Sequence, residues 1–112
     1  MIKLVLADAI GYQKLVSGEK QNLADLREAI DKIDEDILIA LKRRMEISKL
    51  LGKFKRENNL PIEHKNRENE LLQSLKEKAA ELEIADALVE TVWKAIIEES
   101  KKVQNAEKHS QE

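Results

Sequence analysis

The sequence has no cysteine among its 112 residues, one proline, three glycines and only 3% aromatic residues. The missing cysteine excludes a disulfide scaffold, a thiolate metal site and thiol catalysis. So little proline and glycine suits long helices, and so few aromatics argue against a β-sandwich or barrel. An excess of one charge is also lacking: 20 basic residues face 22 acidic ones, for a formal net charge of -2. Nucleic-acid-binding domains carry a clear basic excess, so this balance argues against such a partner, though not against a small cationic pocket. Two histidines leave little for a histidine-rich metal centre. No apolar run approaches the roughly 18 residues of a membrane span. These absences describe a soluble, all-helical, cytoplasmic chain of one domain's length, with no membrane association.

The first twenty residues, MIKLVLADAIGYQKLVSGEK, differ from the rest and hold Gly11, Gly18 and the only tyrosine, Tyr12. Lys3 before an apolar stretch has the look of a signal peptide. Asp8 interrupts that stretch after about five residues, short of the roughly 7–15 that such a segment needs. Residues 1–20 are therefore read as an extension of unassigned role, largely poorly ordered. Residues 21–107 form the functional domain, and residues 108–112 a tail.

From Gln21 onward the chain reads as one long and two shorter helices. Leu23, Leu26, Ile30, Ile33, Ile37, Ala40, Arg44, Ile47, Leu51 and Phe54 recur at alternating steps of three and four, a heptad stripe. Gly52 is a mild weakness in it, and Asn58-Asn59 before Pro61 is a stop signal. A second pattern runs from Lys65 to Leu82, with Glu68, Leu71, Leu72, Leu75, Ala79 and Leu82 inward. A third runs from Ala85 past Gln104, through Val89, Val92, Ile96, Ser100 and Val103. A helix over residues 21–57 would be about 55 Å long, while a globule of this size has a radius of gyration of about 13 Å. The shorter helices cannot cover such a stripe, so a second copy is expected to, in a two-fold dimer. A plain coiled coil is the bland alternative.

The chemistry lies where these stripes break their own rule. Arg44 holds a heptad core position, and an unpaired buried guanidinium costs several kcal/mol, so something anionic should meet it. Lys55 lies three turns further on almost the same face, with Ser48 between. Ser100 and Gln104 put hydrogen-bonding groups one turn apart on the third helix, and Arg67 and Glu68 open the second. Each has a dull reading. Arg44 could pair with a core glutamate, Lys55 could snorkel to water, Arg67-Glu68 could be an ordinary charged first turn. Ser100 could be a tolerated small residue, Gln104 surface, and Arg27 could pair with Asp31 or Asp34. The same break on all three helices favours a small cationic pocket for a compact ligand carrying carboxylates.

The stretch LADLREAIDKIDEDILIALKRR, then Gly52, Lys55, Pro61-Ile62, Arg67-Glu68 and the ending IIEESKKVQ resemble an AroQ-type chorismate mutase over about Leu23 to Gln104. The resemblance implies an intertwined homodimer with two equivalent sites, and rearrangement of chorismate to prephenate without metal or cofactor. It implies that Arg27, Arg44 and Arg67 hold the substrate carboxylates, with Arg27 supplied by the partner chain. Spacing agrees, since Arg27 and Arg44 are about 25 Å apart along one helix. It further implies that Lys55 and Gln104 flank the ether oxygen as the catalytic pair, and that Glu68 accepts the substrate hydroxyl. Ser100 and Ser48 line the pocket, and His64 stands where many relatives have an aspartate. Two rivals are an isochorismate–pyruvate lyase of the same fold and a non-catalytic helical dimer regulating a partner enzyme. By family pattern the lyases lack the carboxylate after the Arg67-type arginine and the serine at the Ser100 position.

Overall fold

The computed structural model describes residues 22–109, with side chains through residue 106. Helix α1 spans Leu23–Glu57, α2 Lys65–Glu81 and α3 Asp86–His109, and no strand occurs among the described residues. The expected one long and two shorter helices are thus present. The extension at residues 1–20 and the last residues of the tail lie outside the described residues. Two compact units, residues 1–42 and 43–112, divide the chain within α1.

In the first unit, Asn22 starts α1. Its Oδ1 accepts the Asp25 amide at 2.9 Å, satisfying one otherwise orphaned donor, and its Nδ2 donates to the Asp25 carboxylate at 2.9 Å. Asp25 also sets negative charge against the positive end of the helix dipole. Beyond the cap the apolar stripe is open: Leu23, Leu26, Ile30, Ile33 and Ile37 are all at least 36% exposed. A row of large aliphatic side chains left in water is a face that another surface would stabilise by covering.

In the second unit, α1 ends in a Schellman motif. Asn59 takes a left-handed φ of 54°, Leu60 N–H donates to the Lys55 carbonyl at 2.7 Å, and Asn59 N–H to the Arg56 carbonyl at 3.3 Å. Asparagine tolerates that conformation, and Pro61 then bars any return to helix. α2 ends the same way, with Glu83 at φ 61° and Ile84 N–H donating to the Ala79 carbonyl at 2.8 Å. Ala79 of α2 and Val89 of α3 are buried apolar residues, while the buried polar ones are Ser48, Ser100 and Gln104.

The face of α1 that meets α3 differs from the heptad stripe. Ile47, Leu51 and Phe54 are exposed, and the buried line is instead Ser48 and Gly52. The reason is distance between backbones. A Cβ on Gly52 would stand 2.8 Å from the Gln104 Cα and 2.9 Å from its carbonyl oxygen. Gly52, a mild weakness by helix propensity alone, is therefore the point that lets α3 approach. Its neighbour there is backbone, which yields only if the whole helix shifts. Gly52→Ala should lower stability by about 1–3 kcal/mol, the usual range for overpacking, read from urea unfolding midpoints. An unchanged midpoint would show that the two helices can part freely at this point.

Candidate active site

A cavity of about 270 Å³ opens within the second unit, lined by Arg44, Ser48 and Lys55 of α1, Ile62 and His64 of the connection, Arg67 and Glu68 of α2, and Ser100, Lys101 and Gln104 of α3, with Ile47, Leu51, Leu71 and Ile97 as its apolar wall. Its size sits just below the usual ligand-pocket range of roughly 300–1,000 Å³, which suits a compact molecule. Eight of the nine candidate residues converge here; the ninth, Arg27, is not among the lining residues.

Lys55 reaches the cavity from the last turn of α1. Its Nζ donates to the Ile62 carbonyl at 2.8 Å and to Gln104 Oε1 at 2.9 Å, so it does not snorkel to water. Burial lowers its pKa from the ordinary lysine value, and the charge of Glu68 partly opposes that shift. Gln104 is only 4% exposed, which removes the surface reading. Its Nε2 donates to Ser100 Oγ at 3.3 Å, and Ser100 Oγ lies 2.6 Å from Ser48 Oγ. Lysine can only donate, so the amide must turn its oxygen to Lys55 and its NH₂ to Ser100. A directed hydrogen-bonded line thus runs from α1 to α3 and back.

Arg44 and Arg67 behave differently. Neither guanidinium has an ion pair or hydrogen bond with any described residue, so no core glutamate meets Arg44. Burial, and then repulsion by Arg67, hold the Arg44 pKa below its usual value. An anionic ligand in that half-enclosed space would offset the repulsion that Arg67 exerts on Arg44. Arg27 is exposed on the first part of α1 and has no ion pair with a described residue, so neither Asp31 nor Asp34 engages it.

His64 is the N-cap of α2. Its Nδ1 accepts the Arg67 amide at 3.0 Å, which obliges the neutral ring to carry its proton on Nε2. Sequence reasoning had no signal for this, because histidine is not among the favoured capping residues. It also passed over Lys101, which looks on a charged helix like its neighbour Lys102. Yet the Lys101 ammonium meets Glu63 at 3.0 Å, Glu98 at 3.2 Å and Glu68 at 3.5 Å. The clue available was that Lys101 directly follows Ser100. The Ile62 carbonyl, a backbone ligand, could not have been read from residue types. Among the described residues no group of three or more histidine, aspartate or glutamate side chains is placed to hold a metal ion.

The family profile for chorismate mutase type II matches residues 26–105. The chain belongs to the chorismate mutase type II family. Among curated relatives, a bifunctional chorismate mutase/prephenate dehydratase of Aquifex aeolicus is 40% identical over 55 residues, which are 49% of this chain and 15% of that protein. An isochorismate pyruvate lyase of Pseudomonas aeruginosa is 61% identical over 33 residues, 30% of this chain and 33% of the lyase. The chain thus spans a third or less of the length of these relatives. A solved structure, a conserved hypothetical protein from Pyrococcus furiosus, is 41% identical and superposes with a TM-score of 0.60 over 76% of this chain and 97% of that one. Among the described residues no helix is long and apolar enough to cross a membrane.

The cap gives a direct test of how Arg67 and Glu68 are set. His64→Ala should cost about 1 kcal/mol, as loss of an N-cap does, while His64→Asp should retain wild-type stability, because aspartate caps well. Urea unfolding of both variants measures this. Equal loss in the two would show that the ring does not hold the start of α2.

Proposed function

We propose that this chain converts chorismate to prephenate by a Claisen-type pericyclic rearrangement, in the route to phenylalanine and tyrosine. One observation supports the reading above the others: unpaired Arg44 and Arg67 share a compact cavity with the Lys55–Gln104 pair. Family membership supplies the substrate. The reaction needs no general base and no nucleophile, since one carbon–oxygen bond breaks as a carbon–carbon bond forms within a single molecule. Two tasks remain for the protein. It must hold the flexible enolpyruvyl arm over the ring, and it must stabilise the negative charge growing on the ether oxygen.

Arg44 and Arg67 serve the first task by bidentate grip on carboxylates, which Lys in their place would not match. Lys55 and Gln104 serve the second as donors to the ether oxygen. The Gln104 amide gives up only a long 3.3 Å bond to Ser100 when its NH₂ turns to the ether oxygen. Ser100 keeps its short bond to Ser48, so the serine pair steadies the wall throughout. Glu68 accepts the ring hydroxyl, and His64 offers Nε2–H beside it. No metal or cofactor takes part in this scheme.

The active form in this reading is an intertwined homodimer in which Arg27 of one chain completes the site of the other. Its support is the open aliphatic stripe flanking Arg27 and the lack of an ion pair between that arginine and any described residue. The second reading, isochorismate–pyruvate lyase, draws on the short match to the Pseudomonas enzyme. Glu68 and Ser100, both at the cavity, weigh against it by family pattern.

Purified protein given chorismate should yield prephenate, identified by chromatography. Pyruvate released from isochorismate, with chorismate untouched, would establish the lyase instead. Lys55→Ala should reduce kcat by about 10²–10³-fold, as removal of an oxyanion donor does, with the unfolding transition preserved. A rate within a few-fold of wild type would remove Lys55 from the reaction. Mixing inactive Arg27→Ala and Lys55→Ala chains, once subunit exchange is confirmed, should restore activity through one intact site per mixed dimer. No recovery would show that each site is built from a single chain.

A further inference from the structure

Lys101 lines the cavity but differs from its other cations in being surrounded by carboxylates. An ammonium has three N–H donors, and this one faces three carboxylates: Glu63 of the α1–α2 connection at 3.0 Å, Glu98 of α3 at 3.2 Å and Glu68 of α2 at 3.5 Å. The Lys101 side chain is 17% exposed and that of Glu68 19%, so the Lys101–Glu68 pair is shielded from bulk screening, unlike most surface ion pairs. Lys101 is thus poorly suited to grip an anionic ligand. It is well suited to hold a carboxylate in place.

The carboxylate that needs holding is Glu68. It borders the same cavity as Arg44, Arg67 and Lys55, and its charge already acts on Lys55. An unrestrained carboxylate beside two unpaired guanidiniums and a half-buried ammonium would swing onto them. There it would occupy the place of a ligand carboxylate. Lys101 stands 3.5 Å from Glu68 Oε2, and the exposed Lys65 stands 3.9 Å from Oε1.

We propose that Lys101 is a positioning residue that holds the Glu68 carboxylate back from Lys55, Arg44 and Arg67 and so keeps the cationic pocket open to its anionic substrate. Glu63 and Glu98 anchor the ammonium that does so. The inference rests on the chorismate reading only for the assay used. It predicts a specific failure. In Lys101→Met, Glu68 becomes an internal competitor, so KM for chorismate rises by about tenfold or more while kcat changes far less, the signature of lost substrate binding.

The deciding experiment is a double-mutant cycle. Removing the competing charge in Lys101→Met/Glu68→Gln should bring KM back to that of Glu68→Gln alone, whereas Lys101→Arg, which keeps the charge, should retain a near-native KM. A purely structural role for Lys101 predicts instead that the two losses multiply, and that outcome overturns the proposal. A crystal structure of Lys101→Met gives a readout independent of turnover. Glu68 bonded to Lys55 or an arginine supports the inference, and Glu68 unmoved from its wild-type position overturns it. If the wild-type protein does not convert chorismate, the functional reading fails on its own, and the crystal structure still decides the role of Lys101.

Discussion

Arg44 and Arg67 line one half-enclosed space without an ion pair to any described residue, and most of what is unusual in this chain follows from that arrangement. Placing two guanidiniums on one cavity opposes folding through desolvation and mutual repulsion. The surrounding structure must hold them there without neutralising them, since a neutralised pocket would have nothing to offer an anion. The depressed pKa of Arg44, with burial as its first cause and Arg67 as its second, is the local record of that tension. Lys55 resolves the same problem differently. It places two of its three donors on uncharged acceptors, the Ile62 carbonyl and Gln104, so neither bond cancels its positive charge.

Uncharged partners recur for this reason. A glutamate at position 104 or a serine-to-aspartate change at position 48 would satisfy the same hydrogen-bonding geometry, yet either would cancel charge where charge is needed. Gln104, Ser100 and Ser48 instead form a neutral line that is buried and hydrogen-bonded, the condition under which a polar group in a core is tolerated. Gly52 is the packing counterpart of that line. Only a residue without a side chain lets α3 come near enough to α1 for Gln104 to reach Lys55.

The three helices were legible because their signals are local. Heptad spacing, the asparagine pair before Pro61 and the apolar periods of α2 and α3 each act within a few residues. The pocket residues were legible as breaches of pattern: Arg44 in a core position, Ser100 and Gln104 on an inward face. What sequence could not supply was anything that depends on a second segment. Ile47, Leu51 and Phe54 belong to the stripe, but the contact face turned out to be Ser48 and Gly52, because backbone approach at Gly52 outweighed side-chain hydrophobicity there. Lys101 and Lys102 are adjacent identical residues, and only the position of Glu63, on a connection far away in sequence, makes the first of them special. His64 was read by its place in the family pattern, whereas its capping bond depends on the turn geometry preceding α2.

Anions on this chain are consequently arranged as carefully as cations. The Glu63 carboxyl is held below its usual range, first by its hydrogen bonds to Lys101 and Lys65 and then by their charges, and Lys101 is held protonated beyond the ordinary lysine range by Glu63 and Glu98. A carboxyl with a lowered pKa contributes its stabilisation above its unfolded value and loses it as pH falls through the folded one. A lysine with a raised pKa contributes below its unfolded value and loses it only as pH rises through the folded one. Both conditions hold across the neutral range, so the tie from Lys101 to Glu63 of the connection persists there. Glu63, between the lining residues Ile62 and His64, is thereby committed to Lys101 over that range.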